Sequence, residues 1–329
     1  MIDTDFLFLT SMLRAREAKM LSTEKAEQML NAAEFDDAAK ILTDCGYPDV
    51  SGMDARQVES VLAEHRKEIF DELAQDENAR CLVDIFRIKY DYHNVKALVK
   101  SAGTRSDVSG ILSDCGRVRA DTVASAFTFG KRQGLPPALR HAMRDAAAVL
   151  TKTQNPQLAD IAVDTAYFRE LTKLAQVIGD GFVLGYARLL IDCANLRVFT
   201  RAMKAGYDRY SLKSALISGG NADTDRILSI SPSCDGMAEV FTENALKPAA
   251  AHCRAVINGG AQTRFELECD NALTRYVSHA PLSGFGPSSI LAYLVFLEWE
   301  ITAARLILTG KLLGISTDIT RERLRDCYV

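Results

Sequence analysis

The sequence lacks the short glycine-rich motifs that bind phosphates or dinucleotides. It contains no G-x-x-x-x-G-K-[ST] motif, and no G-x-G-x-x-G motif follows a strand pattern. The run Gly284-Phe285-Gly286 has neither the lysine nor the preceding strand, so we predict a loop whose backbone angles need glycine. These absences argue against a nucleotide-dependent enzyme, and we expect no catalytic site and no cofactor.

Metal-binding and redox motifs are also missing. The five histidines show no H-E-x-x-H motif, and the eight cysteines show no C-x-x-C motif. His93 lies two residues after Asp91 on a predicted helix, where the two side chains diverge, so a surface or packing imidazole is favoured over a catalytic one. Without a secretory leader pattern, we expect reduced cytosolic thiols, those within helices acting as small core hydrophobes. We expect no metal site.

Basic excess and long apolar runs are absent as well. The net charge is −4 and the isoelectric point is about 5.8, which argues against binding to nucleic acid or to an anionic membrane. The longest apolar run, around residues 285–297, is interrupted by Glu298 and Glu300 and falls short of the ~20 residues that span a bilayer. We therefore expect no transmembrane segment and no direct insertion into lipid.

The composition is that of an ordinary folded protein. Of the 329 residues, 48% are hydrophobic and 25% are charged. This length exceeds the roughly 100–150 residues of a typical domain, so two or three domains are expected. Apolar residues recur at helical spacing through most of the chain, whereas alternating strand patterns are scarce. The sequence predicts a nearly all-α protein.

One helical pattern occurs three times, centred on an acidic residue. The three acidic residues are Asp91, Asp192 and Glu300, and apolar residues stand six and three positions before each and one and four positions after it. The copies are 101 and 108 residues apart, a period longer than those of common solenoid repeats. We predict three related helical modules. Their motif helices are predicted over 81–103, 182–206 and 287–314, with the repeat core at Tyr92, Val95, Cys193, Leu196, Ile301 and Ala304.

The likeness between copies extends beyond the motif helices. Ile111-Leu112-Ser113 matches Leu216-Ile217-Ser218 at an offset of 105 residues. Asn94 and Asn195 stand three residues after their acids, where the third copy has Ala303. We place module boundaries near residues 110 and 218, which gives modules over 1–110, 111–218 and 219–329. Within the third module, one helix is predicted over 235–258 and a tight connection over 281–287.

Cations recur toward the end of each motif helix. A cation lies five residues after each acid, but such residues do not face one another on one helix, so their contacts must be to other helices. Interaction with the helix C-terminal dipole and contact with a partner protein both explain this pattern. The candidate contact residues are Lys96, Lys100, Arg197, Arg201, Lys204, Arg305 and Lys311.

Three segments resemble a known family, the C subunits of V/A-type rotary ATPases, whose counterparts in eukaryotic V-ATPases are called d subunits. The segment FELECDNALTRYVSHAPLSGFGPSSILAYLVFLEWEITAARLILTGKLLGISTDITRERL resembles the C-terminal region of that family. The segments DIFRIKYDYHNVKALVKS and LLIDCANLRVFTRA are similar to its first and second repeat motifs, and the resemblance covers most of the chain. The sequence departs from the family pattern at 302–304, where an asparagine is expected.

The resemblance implies a non-catalytic subunit, a funnel of three similar all-helical modules with pseudo-threefold symmetry. Such a protein joins the central shaft, built by D- and F-type subunits, to the membrane rotor ring, and couples ATP turnover to proton or sodium translocation. It would lie on the cytoplasmic face of the membrane as a peripheral part of the complex. A free-standing helical scaffold or adaptor is the main alternative, and an all-α enzyme would need a convergent polar cluster that the sequence does not display.

Overall fold

A computed structural model describes residues 6–104, 106–130, 133–230, 236–241, 245–280 and 285–325 of the protein. These residues form sixteen α-helices and, within the ranges given, no β-strand. The predicted all-α class is confirmed. The funnel with pseudo-threefold symmetry stays a prediction.

The helices are numbered in chain order. The first eight are α1 (Leu7–Glu17), α2 (Thr23–Asn31), α3 (Phe35–Asp44), α4 (Ala55–Leu73), α5 (Glu77–Thr104), α6 (Ala120–Phe129), α7 (Pro137–Thr153) and α8 (Pro156–Ile178). The others are α9 (Gly181–Lys204), α10 (Arg209–Ala215), α11 (Thr224–Ile230), α12 (Met237–Val240), α13 (Lys247–Ile257), α14 (Gln262–Ser278), α15 (Pro287–Leu312) and α16 (Thr317–Arg321).

Local sequence sets many of the helix ends. The side chains of Ser22 and Asp180 accept hydrogen bonds from backbone N–H groups in the first turns of α2 and α9. Pro287 occupies the first turn of α15, where its missing N–H costs no helical hydrogen bond. After α3, Gly46 adopts a positive φ of 96°, which suits glycine and ends the helix.

The three motif helices are α5, α9 and α15, close to the bounds that the periodicity predicts. The apolar positions that define the pattern are buried in all three helices. The six predicted repeat-core residues are each at most 2% exposed: Tyr92, Val95, Cys193, Leu196, Ile301 and Ala304.

Two local predictions in the last third of the chain are wrong. The helix predicted over 235–258 is divided, since Phe241 leaves helical geometry after α12 and α13 begins at Lys247. Pro248 fits this start, because proline favours the first turn of a helix. Gly286 has extended backbone with φ 173°, so its conformation does not need glycine. The connection over 281–284, including Gly284, lies outside the described residues.

The chain divides into two compact units. One unit, Arg66–Gly179, contains α5 packed against α6, α7 and α8. The other unit combines Met1–His65 with Asp180–Val329. In it α9 packs against α13 and α14, while α15 packs against α14 and against the N-terminal helices α1, α2 and α3. The division into modules at residues 110 and 218 stays a prediction.

No helix in the described part of the chain combines the length and apolar character that a membrane-spanning helix needs.

Candidate functional sites on the motif helices

The acidic residue of the first motif helix holds the connection that leads to α6. Asp91 is fully buried. Its Oδ1 accepts a hydrogen bond from the Val118 backbone N–H at 3.1 Å, and its Oδ2 accepts one from Arg117 Nε at 2.9 Å. Burial raises the pKa of Asp91, and the Arg117 guanidinium opposes that rise. A Cβ at Gly116 would lie 2.3 Å from Oδ1, so this close approach requires glycine.

The acidic residue of the second motif helix binds the equivalent connection, which leads to α11. Asp192 is also fully buried. Its Oδ2 accepts from the backbone N–H and from Nδ2 of Asn221, both at 3.1 Å, and its Oδ1 accepts from the Ala222 N–H at 3.1 Å. A Cβ at Gly220 would lie 2.1 Å from Oδ1. The first two copies therefore share a buried carboxylate and a glycine that lets the backbone approach it.

An asparagine one helical turn later provides a second anchor. Asn94 donates to the Ser113 carbonyl and accepts from the Ser113 N–H, both at 2.8 Å. Asn195 makes the same pair of bonds with Ile217, also at 2.8 Å. The structural match thus pairs Ser113 with Ile217, at an offset of 104 residues. The offset of 105 from the sequence match is therefore wrong by one residue. The feature that repeats is the backbone position to which the asparagine binds, and not the type of side chain at that position.

The third acid has a partner from the opposite end of the chain. Glu300 Oε1 accepts from the Leu21 backbone N–H at 2.8 Å, and Glu300 is 8% exposed. Leu21 lies two residues before α2, as Val118 lies two before α6 and Ala222 two before α11. The three N–H donors therefore hold equivalent positions. The N-terminal helix α2 takes the place, beside α15, that α6 takes beside α5.

The cations five residues after each acid form ion pairs with other helices of the same chain. Lys96 pairs with Asp164 on α8. Arg197 binds Glu266 on α14 at 2.7 Å. Arg305 binds Glu59 on α4 at 2.9 Å. Each acidic partner lies on the helix that precedes a motif helix, since α8 precedes α9, α14 precedes α15 and α4 precedes α5.

The remaining candidate contact residues differ in their surroundings. Lys100 pairs with Asp160 at 2.8 Å, and Lys311 Nζ donates to the carbonyl oxygens of Leu30 and Ala32 at the end of α2. Arg201 and Lys204 are exposed in the last turn of α9, where the helix dipole favours a cation. Lys96 and Lys100 precede the last turn of α5, so the dipole does not explain them. Whether any of the seven cations contacts a partner stays a prediction.

The thiols and the candidate imidazole have structural surroundings. Burial raises the pKa of the Cys193 thiol and raises that of Cys269 to about 12, so both stay protonated in the core. His93 Nε2 lies 2.9 Å from the Ile111 carbonyl oxygen, which accepts a hydrogen bond from the ring. In the described part of the chain, no three His, Cys, Asp or Glu residues form a group that could hold a metal ion.

The sequence matches a known protein family along most of its length. The model of the ATP synthase (C/AC39) subunit family matches residues 9–323. The chain belongs to this family. The C subunit of the V-type sodium ATPase of Enterococcus hirae is 24% identical over 325 residues, which cover 97% of this chain and 98% of that protein. The C subunit of the V-type ATP synthase of Thermus thermophilus is 22% identical over 325 residues, covering 94% and 95%. The family resemblance inferred from the three motifs is confirmed.

In this member of the C/AC39 family, sequence reasoning missed the residues that complete the carboxylate sites. The sequence signal that could have identified these residues is a glycine followed by a residue with a side-chain hydrogen-bond donor, as in Gly116-Arg117 and Gly220-Asn221. It also missed Arg325, which binds Asp270 at 2.7 Å and stacks over Trp299 at 5.6 Å. No repeated pattern marks this last contact.

Proposed function

We propose that this chain is the non-catalytic central-stalk subunit of a V/A-type rotary ATPase. It acts as a socket that joins the central shaft to the membrane rotor ring and so couples ATP turnover to ion translocation. The observation that carries this proposal is the family match over residues 9–323, together with relatives that align along nearly their whole length. Its partners are the D- and F-type shaft subunits and the ring, at the cytoplasmic face of the membrane.

The chemistry of the motif helices supports a structural role. Asp91 and Asp192, the two most conspicuous polar residues of the repeat, are fully buried and bonded to backbone N–H groups. No external molecule reaches such a carboxylate, so neither residue is placed to act on a substrate. The repeat instead fixes the loops between helices, as a rigid connecting protein requires.

The proposal is tested by reconstitution with the shaft subunits and the ring. We expect the purified chain to bind both, and to join them in a complex that neither forms as tightly without it. A free-standing scaffold would bind neither the shaft nor the ring. Failure of the chain to join a complex that assembles from the other subunits would contradict the proposal.

The chain alone should hydrolyse no nucleotide. The phosphate-binding motifs are missing from the sequence, and the buried aspartates are committed to backbone hydrogen bonds. Phosphate release from ATP is measured on a preparation free of the catalytic head subunits. Activity above background that a point substitution in this chain abolishes would overturn the assignment as non-catalytic.

The most informative cations for partner contact are Arg201 and Lys204. Reversing Lys100 or Lys311 would break bonds to other helices, whereas Arg201 and Lys204 are exposed at the end of α9, where Arg201 bonds to the Arg197 carbonyl of its own helix at 3.3 Å. We expect Arg201→Glu with Lys204→Glu to weaken binding to the shaft or ring by about tenfold, since like charges would then face an acidic partner. The effect should shrink at high salt.

The matched control for this variant is Lys213→Glu, a reversal at another exposed position of the same unit. It should leave the dissociation constant unchanged. If the double variant also binds with wild-type affinity, Arg201 and Lys204 serve the dipole of α9 and not a partner.

A further inference from the structure

The third motif helix differs from the other two in how its carboxylate partner is attached. Asp91 and Asp192 bind backbone N–H groups only 27 and 30 residues further along the chain. Glu300 binds the N–H of Leu21, which is 279 residues away. The equivalent connection in the third copy is therefore a separate segment, which docks on α15 without the short covalent link of the other copies.

The docked segment comprises residues 6–54, and we call it the N-terminal strap. It contains α1, α2 and α3, all of which pack against α15. Besides the Glu300 contact, Lys311 donates to the carbonyls of Leu30 and Ala32, and Arg321 binds Glu27 at 3.0 Å. Of the side chains in these contacts, Glu300 is the buried carboxyl, at 8% exposure.

The partners of Glu300 differ from those of its counterparts. Asp91 has an arginine, and Asp192 has three N–H donors. Burial raises the pKa of Glu300 to about 7, against the opposing effects of the Leu21 N–H, the Tyr47 side chain and the Lys25 charge. Lys25 Nζ itself lies 3.6 Å from Cys45 Sγ.

These neighbours all come from the strap. The Cys45 thiol also belongs to the strap, and its pKa is raised by burial and further by the charge of Glu300. Outside the strap, α9, α14 and α16 pack on α15, and α4 contacts it through the Arg305–Glu59 pair and places the His65 ring 4.1 Å from that of Tyr47. The groups that oppose the rise in the pKa of Glu300 all lie in the strap, so the ionisation of Glu300 is coupled to docking of the strap.

We propose that the N-terminal strap is a pH-responsive closure, held most tightly on α15 when Glu300 is protonated and loosened when Glu300 ionises. A protonated carboxyl still accepts a hydrogen bond from the Leu21 N–H through its carbonyl oxygen. It does not carry the desolvation cost of a buried charge. An ionised carboxylate must stay in the same low-dielectric site, where the Leu21 N–H, the Tyr47 side chain and the Lys25 charge offset only part of the cost of burial.

The sign of the pH dependence follows from the two states of the strap. When the strap is released, Glu300 faces water and regains its ordinary pKa of 4.5. Docking therefore takes up a proton between pH 4.5 and about 7, and the docking equilibrium falls as the pH rises through this window. Between pH 6 and pH 8 the linkage predicts a decrease of about tenfold in the docking constant.

The test is hydrogen–deuterium exchange on the full chain at pH 6 and pH 8, corrected for the intrinsic exchange rate. Protection of the peptide that contains Leu21 should fall by about tenfold at pH 8. The peptide that contains Ala222, whose N–H binds Asp192 from a covalently short connection, serves as the internal control and should keep its protection. Equal protection of Leu21 at the two pH values would overturn the proposal.

The Glu300→Gln variant tests whether ionisation of this side chain causes the pH dependence, because glutamine keeps the shape of the side chain but cannot ionise. The glutamine oxygen can accept the Leu21 N–H at every pH, so protection in this variant should be the same at pH 6 and pH 8. Glu59→Gln, the same chemical change at the exposed pair with Arg305, should keep the wild-type pH dependence. A Glu300→Gln protein that keeps the tenfold change would also overturn the proposal. If this variant does not fold, the wild-type comparison of Leu21 with Ala222 still decides.

Discussion

Replacing Leu196 by aspartate should cost more stability than any other single change considered for this protein. Leu196 is 0% exposed in the middle of α9, one of the positions that the three motif helices share. The variant loses the packing of a buried leucine and places a carboxyl among apolar side chains of α9, α13 and α14. We expect a loss of about 4 kcal/mol or more in the free energy of unfolding, enough to unfold a marginally stable unit.

Urea denaturation followed by circular dichroism measures this loss. Leu196→Met keeps the volume and apolar character, and should cost less than about 1.5 kcal/mol. Lys213→Ala changes an exposed side chain and should stay within about 0.5 kcal/mol of the wild type. Equal midpoints for Leu196→Asp and Lys213→Ala would show that the apolar stripe is not part of the core.

The motif helices could be located from the sequence because their signal is local. Apolar residues at helical spacing around Asp91, Asp192 and Glu300 fixed the buried face of each helix. The predicted spans of 81–103, 182–206 and 287–314 differ by at most a few residues from Glu77–Thr104, Gly181–Lys204 and Pro287–Leu312. The buried face that the periodicity defines is the face that packs.

The partners of the polar positions could not be predicted in the same way. Periodicity shows which side chains share a face but not which distant segment lies opposite. Lys96, Arg197 and Arg305 were expected to contact other helices, and each pairs with a carboxylate on another helix of the chain, but the spacing did not show which carboxylates these are. Those carboxylates lie on α4, α8 and α14, and the repeated pattern does not identify these helices as neighbours.

The third copy shows the same limit most clearly. Its acid and cation bind Leu21 and Glu59, which belong to the N-terminal part of the chain. When the three copies are aligned in chain order, these residues fall in the first module. No segment after α15 then matches 113–118 or 217–222. Treating the three copies as a closed cycle, in which α2 follows α15, would have supplied the match.

Removing the carboxylate of Asp192 should produce the second largest loss of stability. Asp192 is fully buried and accepts three hydrogen bonds from the connection before α11. Asp192→Ala leaves the N–H groups of Asn221 and Ala222 without this acceptor and opens a gap beside Gly220. Asn221 is exposed, so its N–H groups can bond to water, whereas the Ala222 N–H is half-buried. An unsatisfied buried donor costs about 1–3 kcal/mol, so we expect a loss of about 2 kcal/mol in the free energy of unfolding.

Three comparisons make the Asp192 result specific. Asp192→Asn keeps the shape and one acceptor oxygen, so it should cost less than Asp192→Ala while still losing bonds to one of the two oxygens. Asp225→Ala removes an exposed carboxylate three residues after Ala222 and should be within about 0.5 kcal/mol of the wild type. Hydrogen exchange of the Ala222 amide should accelerate in Asp192→Ala and not in Asp225→Ala, because only the first change removes its acceptor. If Asp192→Ala unfolds at the wild-type urea concentration, the loop before α11 is held by Asn195 and by packing, and the buried acid of the repeat has no structural role.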